Sequence, residues 1–450
     1  MNTRVTARGD ASRKARRFLW LAAGLSLLML VGAAVLLVRQ LDVPALPAVS
    51  GDVPAPSPQL VERGAYLARA GNCAACHTTK GGDAYAGGAA IEIPFGRVFP
   101  GNLTPDPEHG LGRWSADAFW RAMHHGQSRD GRLLNPVFPY TSYTHITRED
   151  SDALFAFLQS RPPVARPNTP HALRFPVNTQ LALAAWRLLY FQPASALPEP
   201  GPAVAAARTA EWNRGAYLVR GLGHCATCHA TRDALGGVRS GADYTGGWMA
   251  EQGWYAPSLH DRREASVGHW RLDDVVHLLQ TGVARDAPQG ASTMGPMAEV
   301  VFHGTQHLDE ADLRAMAIYL QSLDDGGAPL PTNATAATVT AMTPERAIGQ
   351  RLYETHCIDC HGGAGEGARD AYPALAGNRA VTMSSVVNPV QAILSGGFAP
   401  ATAGHPQPYG MPPFRTLLTD AEIAAVTTYI RQSWGNQAGV VTPLDVKKMR

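Results

Sequence analysis

The sequence predicts a mainly α-helical protein with three tandem domains that follow an N-terminal transmembrane helix. Two observations lead to this prediction. A Cys-x-x-Cys pair followed directly by histidine occurs three times, at spacings of 152 and 132 residues, and helical patterns flank each copy. An uncharged run of 21 residues lies near the N-terminus. With 450 residues, the chain is long enough for three domains of ordinary size.

The N-terminal region has the composition of a membrane segment. Six basic side chains in residues 1–17 precede the uncharged residues 18–38. At 1.5 Å per residue this run spans about 30 Å, the thickness of a bilayer core. Basic residues keep their side of a span in the cytoplasm, so we expect a cytoplasmic tail, an anchor in the inner membrane and a periplasmic remainder. A cleaved signal peptide is the alternative, although the apolar region of a signal peptide is usually shorter, about 7–15 residues.

The repeated motif is the attachment site of c-type haem. Both thiols add to the haem vinyl groups, and the imidazole that follows becomes the proximal iron ligand. Structural zinc would need two further ligands for each pair. We therefore predict three covalent haems, which use all six cysteines. A backbone carbonyl should fix each imidazole, with Pro257 and Pro373 as candidates in the second and third copies. The attachment residues are Cys73, Cys76 and His77, then Cys225, Cys228 and His229, then Cys357, Cys360 and His361.

Each copy of the motif lies between two predicted helices. An amphipathic segment containing a tyrosine leads into each motif, and these segments are residues 63–67, 214–218 and 349–353. A closing helix carries an aromatic side chain that should pack against the first helix, and these aromatics are Phe157, Tyr319 and Tyr429. Thr147 with Asp150, and Thr419 with Glu422, have capping-box spacing at the start of two closing helices.

Proline-rich joints set the predicted domain boundaries. The domains cover residues 59–165, 208–326 and 344–450, and the linkers cover residues 39–58, 166–207 and 327–343. The second linker contains an apolar segment of helical length, residues 177–192. It has one charge and no basic face, so we expect it to pack between the first two domains, with a partner-docking or membrane-surface helix as the alternatives.

Methionines are the expected second axial ligands of two haems. Met411 lies in a rigid Gly-Met-Pro-Pro loop of the third copy. Met297 follows a Gly-Pro pair in the second copy, and Met294 is the alternative there. A thioether ligand raises the potential of a haem relative to histidine.

The first copy lacks a methionine in the corresponding loop, which contains Phe138. His145, seven residues further on, is the candidate sixth ligand of the first haem. Met123, His124 and His125 are alternatives on a predicted helix, and an open or water-filled site is another.

Beyond the motifs, the chain resembles the tri-haem cytochrome c subunits of membrane-bound bacterial dehydrogenases. These enzymes oxidise alcohol, gluconate, sorbitol or fructose, and some related molybdenum enzymes oxidise aldehydes or N-heterocycles. The resemblance covers residues 59–450, and many relatives carry methionine at the position of Phe138. The supporting segments are NLTPD at 102–106, GLGRWS at 110–115, PYTSY at 139–143, GPMAEVV at 295–301 and WGN at 434–436.

The resemblance implies an electron-transfer subunit without a catalytic residue of its own. Its partners would be a flavin- or molybdenum-dependent dehydrogenase subunit, with or without a small third subunit, and membrane quinone or an oxidase as acceptor. The alternative is a catalytic, peroxidase-like multihaem cytochrome that uses an open first haem; a cytochrome subunit of a terminal oxidase is a further class. The net charge of +2 argues against a nucleic-acid partner.

Overall fold

The structure, a computed structural model, is mainly helical, at about 47% of residues. It describes residues 5–48, 56–194, 208–284, 291–324, 343–368 and 371–450, with the backbone alone for residues 5–17 and Ala250. Nearly all of the predicted linker 327–343, and parts of the other two linkers, lie outside these ranges.

Eighteen α-helices lie in the described ranges. They are α1 Val5–Leu41, α2 Pro58–Ala70, α3 Cys73–His77, α4 Ala116–His125, α5 Tyr140–Tyr143, α6 Arg148–Gln159, α7 Gln180–Tyr190, α8 Thr209–Tyr217, α9 Ala226–His229, α10 Leu272–Thr281, α11 Pro296–His303, α12 Glu310–Ser322, α13 Pro344–His356, α14 Ile358–His361, α15 Arg379–Thr382, α16 Val387–Ser395, α17 Asp420–Arg431 and α18 Pro443–Lys447. A π-helical turn, Leu218–Leu222, continues α8.

The described strands are short and antiparallel. One three-stranded sheet has the order β1 Ile91–Ile93, β2 Gly96–Val98, β3 Ala172–Leu173. Three two-stranded sheets are β4 Gly247–Met249 with β5 Trp254–Ala256, β6 Val283–Ala284 with β7 Ala291–Ser292, and β8 Gly397–Phe398 with β9 Gly410–Met411.

The apolar N-terminal run forms the exposed part of α1. Residues Phe18–Leu41 have a mean hydropathy of 2.6 and no buried side chain. By length and composition this helix could cross a membrane.

Three helix pairs repeat along the chain: α2 with α6, α8 with α12, and α13 with α17. A glycine of the first helix in each pair lies so close to the last helix that a Cβ there would come within 1.9–2.2 Å of a carbonyl oxygen. These contacts are Gly64 with Ala153, Gly215 with Ala315 and Gly349 with Ala425. The aromatics Phe157, Tyr319 and Tyr429 face the same glycines, which confirms their predicted place between the first and last helices. We call the regions around these pairs the first, second and third units.

One of the two predicted capping boxes forms. Thr419 and Glu422 cap α17 reciprocally. Thr147 accepts a hydrogen bond from the Asp150 N–H, but the Asp150 carboxylate turns away from the helix start. It accepts hydrogen bonds from Arg63 and from Tyr217 of the second unit instead.

The first and second units share one hydrophobic core, whereas the third unit has its own. Two tyrosines form reciprocal hydrogen bonds across the shared interface, which we call the tyrosine exchange. Tyr66 of the first unit donates to Asp312 of the second (2.7 Å), and Tyr217 of the second donates to Asp150 of the first (2.6 Å). Hydrogen bonds to ionised acceptors are stronger than neutral ones, so this exchange ties the two units together.

The predicted linker helix is α7, and it packs between the first two units as expected. The Gln180 side chain bonds both backbone groups of Leu133, while Trp186 donates to the Leu235 carbonyl (3.2 Å). The third unit docks on the second through Asn388, whose side-chain amide bonds the backbone N–H and C=O of Tyr255 at 3.0 and 2.9 Å.

Candidate haem-binding sites

Each Cys-x-x-Cys-His motif forms a short helical turn after the first helix of its unit, namely α3, α9 and α14. Asn72 and His224, which precede the first cysteine in two units, have φ values of 50° and 36°. This left-handed step turns the chain sharply from the helix into the motif. The six thiols are all free. Burial raises the pKa of Cys73 and Cys225 to about 12 and that of Cys357 to about 11, so these sulfurs do not suit a thiolate nucleophile.

A backbone carbonyl fixes each motif histidine. The Nδ1 atom of His229 lies 2.7 Å from the Pro257 oxygen, and that of His361 lies 3.0 Å from the Pro373 oxygen. Both predicted acceptors are confirmed. A carbonyl can only accept, so Nδ1 carries the proton and Nε2 keeps its lone pair for a metal. Burial lowers the pKa of both imidazoles, which favours the neutral form that binds iron.

In the first unit the acceptor is Gly101, 2.7 Å from His77 Nδ1, and sequence reasoning missed it. A leucine in the sequence marks this acceptor, because the acceptor residue lies two residues before a leucine in every unit. These leucines donate their N–H groups to the carbonyls of turn residues, in the contacts Leu103 to Tyr85, Leu259 to Tyr244 and Leu375 to Gly365. The turn therefore sets the position of the acceptor, and proline at that place is dispensable.

A cavity of about 470 Å³, which we call the cavity of the third unit, lies between that unit and strands β6 and β7 of the second unit and brings the predicted ligands of the third haem together. Cys357, Cys360 and His361 line it, and so does Met411 on strand β9. Aromatic and aliphatic side chains such as Phe414 form much of the remaining wall. Known cofactor pockets have volumes of about 300–1,000 Å³ and mostly apolar walls, so this cavity suits a haem with one histidine and one methionine ligand.

In the second unit, the two candidate methionines lie in different surroundings. Met294 lines the cavity of the third unit, and its Cε atom faces Gly397 there. Met297 is half-buried in the first turn of α11, after Gly295. The Gly295 backbone lies against the Trp254 indole, where a Cβ would come within 2.4 Å of the ring. This contact fixes the loop that carries Met297.

The candidate ligands of the first unit lie on different elements, Met123 on α4 and His145 after α5. Phe138 is half-buried beside the Tyr143 ring at 5.4 Å, and Met123 is buried in the shared core. His145 lies near Gly221 of the second unit, with its Nδ1 buried and without a hydrogen-bond partner among the described residues. Burial, with the charge of Arg220, lowers the pKa of His145 to about 4.

Tyr143 is a residue that the sequence did not single out. It is buried next to the first attachment turn, and burial together with the Cys73 and Cys76 thiols raises its pKa. Its ring meets the ring of His224 from the second unit edge-on at 5.7 Å. His224 Nε2 also lies 3.3 Å from the Gly71 carbonyl, so the first two attachment turns meet at the shared interface.

The chain is similar in sequence to several proteins of known function. The family model described as "Cytochrome c" matches residues 61–162 and 347–434. The chain is 39% identical to a nicotinate dehydrogenase subunit of Pseudomonas putida, over 83% of this chain and 30% of that protein, so it spans less than a third of that relative. It is 36% identical to the cytochrome c subunit of alcohol dehydrogenase (quinone) of Gluconacetobacter polyoxogenes, over 87% of this chain and 84% of the relative. The gluconate 2-dehydrogenase cytochrome c subunit of Pantoea cypripedii is 35% identical, with coverages of 87% and 89%.

Proposed function

The chain belongs to the family of cytochrome c subunits of bacterial dehydrogenases, and we propose that it is the electron-transfer subunit of such a complex. It accepts electrons one at a time from a separate catalytic subunit and passes them through three covalent haems to membrane quinone or another respiratory acceptor. The observation that carries this proposal is the threefold repeat of one turn, with two thiols and an imidazole whose Nδ1 faces a backbone carbonyl.

Three tandem cytochrome c domains, residues 59–165, 208–326 and 344–450, would each hold one haem. When bound, each haem supplies a one-electron iron couple. The chain's own residues attach it, orient the imidazole and exclude water. The motif cysteines and His77, His229 and His361 would hold the haems from the proximal side, and Met297 and Met411 from the distal side of the second and third.

Haem stoichiometry tests the proposal directly. A pyridine haemochrome assay on protein from a host with cytochrome c maturation should give three haems per chain. Two or fewer would contradict it.

The pure chain, without a partner, should be redox-active but should not reduce its haems with alcohol, sugar or aldehyde substrates. Substrate-dependent reduction would contradict a purely electron-transferring role.

We propose His145 as the sixth ligand of the first haem, because Phe138 cannot bind iron and the buried His145 Nδ1, near the shared interface, has no hydrogen-bond partner among the described residues. To reach the iron, the loop after α5 would have to shift its contact with Gly221. Met123, His124 and His125 remain the alternatives.

His145→Ala should therefore convert one low-spin haem signal in the electron paramagnetic resonance spectrum to high spin and leave two unchanged. His171→Ala, at an exposed histidine of the second linker, is the matched control. Three surviving low-spin signals would exclude His145 as the ligand.

A second candidate function is a peroxidase-like activity at an open first haem, and the absence of a methionine at Phe138 favours it. Hydrogen peroxide turnover by the wild-type chain, together with a high-spin first haem before any substitution, would support this candidate over simple electron transfer.

The partner is proposed to be a flavin- or molybdenum-dependent dehydrogenase subunit, with or without a small third subunit. Helix α1 is proposed to anchor the chain in the inner membrane with the haem domains in the periplasm, because it has the length and hydropathy of a membrane span. Co-purification from detergent-solubilised membranes should identify the partner. N-terminal sequencing of the mature protein should begin near Met1, and a start near Gly51 would indicate a removed signal.

A further inference from the structure

Helix α7 turns its single charged side chain inward. Arg187 is 4% exposed and donates through Nη1 to the His125 carbonyl (2.5 Å) and through Nε to Gln40 Oε1 (3.1 Å). Its guanidinium also lies over the Phe191 ring, 4.5 Å from the centroid. A surface helix of a water-soluble protein normally points such a group outward.

The outer face of α7 is made of leucines instead. Leu181, Leu188 and Leu189 are 56%, 39% and 66% exposed. Residues at i, i+7 and i+8 share one side of a helix, so the three form a continuous stripe. Phe175, just before the helix, is 82% exposed. A contiguous exposed apolar patch marks a surface that meets something other than water.

The position of α7 on α1 indicates what that surface meets. Within the uncharged run, α1 is exposed except at Leu37, and Gln40 in the next turn is also half-buried. Helix α7 packs against α1 in this region. The uncharged run ends at Val38, so Gln40 lies about 3 Å beyond it along the helix axis. Leu188 and Leu189, the residues next to Arg187, therefore lie near the level where a bilayer-spanning α1 would leave the hydrocarbon core.

The chain that follows α1 is held firmly to the first unit. Arg121 donates to the Pro44 carbonyl at 2.6 Å, and the Leu46 N–H donates to the Arg129 carbonyl at 2.8 Å. These contacts leave little freedom between α1 and the first unit, so α7 cannot swing far from the membrane surface if α1 spans it.

We propose that α7 is a second membrane contact of this protein, with its leucine face inserted into the phospholipid boundary beside α1. The proposal rests on the membrane anchoring of α1 proposed above. It places the first unit at the bilayer surface, so that an acceptor dissolved in lipid would meet the first unit. Helix α7 lacks the basic face typical of a membrane-surface helix, because the face opposite the leucines packs on protein and needs no charge.

Photolabelling tests this with the full haem-loaded chain in nanodiscs of phosphatidylcholine and phosphatidylglycerol that contain a diazirine-bearing phospholipid. Mass spectrometry should find label on peptides from residues 18–41 and from α7. Leu417 and Leu444 of the third unit are 61% and 60% exposed, so they are matched controls that should stay unlabelled. A Leu181→Gln/Leu189→Gln variant should lose the α7 label and keep the wild-type haem spectrum, whereas Leu417→Gln should change neither.

The possible outcomes distinguish failure of the α7 contact from failure of the membrane anchoring by α1, on which it rests. Label on α1 with none on α7 would overturn the inference and leave the anchor intact. Absence of label from both would overturn both. Equal label on α7 and on the control leucines would show that exposure alone explains the reaction, and would also overturn the inference.

Discussion

Replacing the crossing glycine of each helix pair by alanine should show how the three units depend on one another. In Gly349→Ala, the new Cβ would lie 2.2 Å from the Ala425 oxygen and 2.9 Å from the Tyr429 Cβ. The same change at Gly64 or Gly215 brings a Cβ within 1.9 or 2.0 Å of a backbone oxygen. A backbone oxygen cannot rotate aside, so the two helices must separate.

The cost follows from two opposing effects. Overpacking a well-packed contact costs about 1–3 kcal/mol, and a clash with backbone in the middle of a helix crossing belongs at the upper end. Alanine has a higher helix propensity than glycine, and this offsets about 0.8 kcal/mol of the lost folding stability in a helix interior. The expected net loss is therefore about 2 kcal/mol for each variant, from the difference between the two.

The location of the damage should differ between the variants. The third unit has its own core, so Gly349→Ala should destabilise that unit alone. The first and second units share a core, so Gly64→Ala should lower the stability of both together. Gly439→Ala is the control, because no heavy atom lies within 4 Å of its new Cβ.

Urea-dependent pulse proteolysis of the haem-loaded protein, read by mass spectrometry of peptides from each unit, resolves these transitions. With a urea dependence of about 1–3 kcal/mol/M, a loss of about 2 kcal/mol lowers a midpoint by roughly 1 M. Unchanged midpoints would show that the helix crossings are looser than described. A Gly64→Ala effect confined to peptides of the first unit would refute the shared core.

Two further predictions concern the tyrosine exchange. Tyr66→Phe and Tyr217→Phe each remove a hydrogen bond to a carboxylate, so each should cost about 1.5–3 kcal/mol in the joint unfolding of the first two units and leave the third unchanged; an unchanged joint midpoint would contradict this. Burial raises the pKa of Asp312, but the hydrogen bonds from Arg214 and Tyr66 outweigh burial and leave that pKa below its usual value. The wild-type chain should therefore be more stable than the Asp312→Asn variant, and this difference should be complete above about pH 4 and shrink as pH falls further. A difference that persists or widens in acid would contradict this assignment.

Local chemistry explains the parts of the sites that the sequence predicted. Two cysteines and a histidine must occupy one short turn to meet one haem edge, so five residues are sufficient to recognise the motif. The carbonyls of Pro257 and Pro373 lie 28 and 12 residues from their histidines and were found because proline marks the turn. Gly101 was not found, because its turn has the same hydrogen bonds without the proline.

Residues far apart in the chain explain what the sequence missed. The Asp150 carboxylate has capping-box spacing, yet Arg63 and a tyrosine 67 residues away occupy it. Met294 and Met297 lie three residues apart, and the sequence could not tell that Met294 lines the cavity of the third unit. In each case the competing partner belongs to another helix or another unit, which a spacing rule does not include.

The sequence by itself determined the haem-attachment turns, the apolar N-terminal run and the repeated order of helices, because each depends on residue types within a few turns of chain. The tertiary structure alone decided which units share a core, that Tyr66 bonds a carboxylate 246 residues away, and that α7 turns Arg187 inward. Those features depend on how whole units dock. Docking is selected by the fit of distant surfaces and by the need of each buried polar group for a partner, and neither is written into a local pattern.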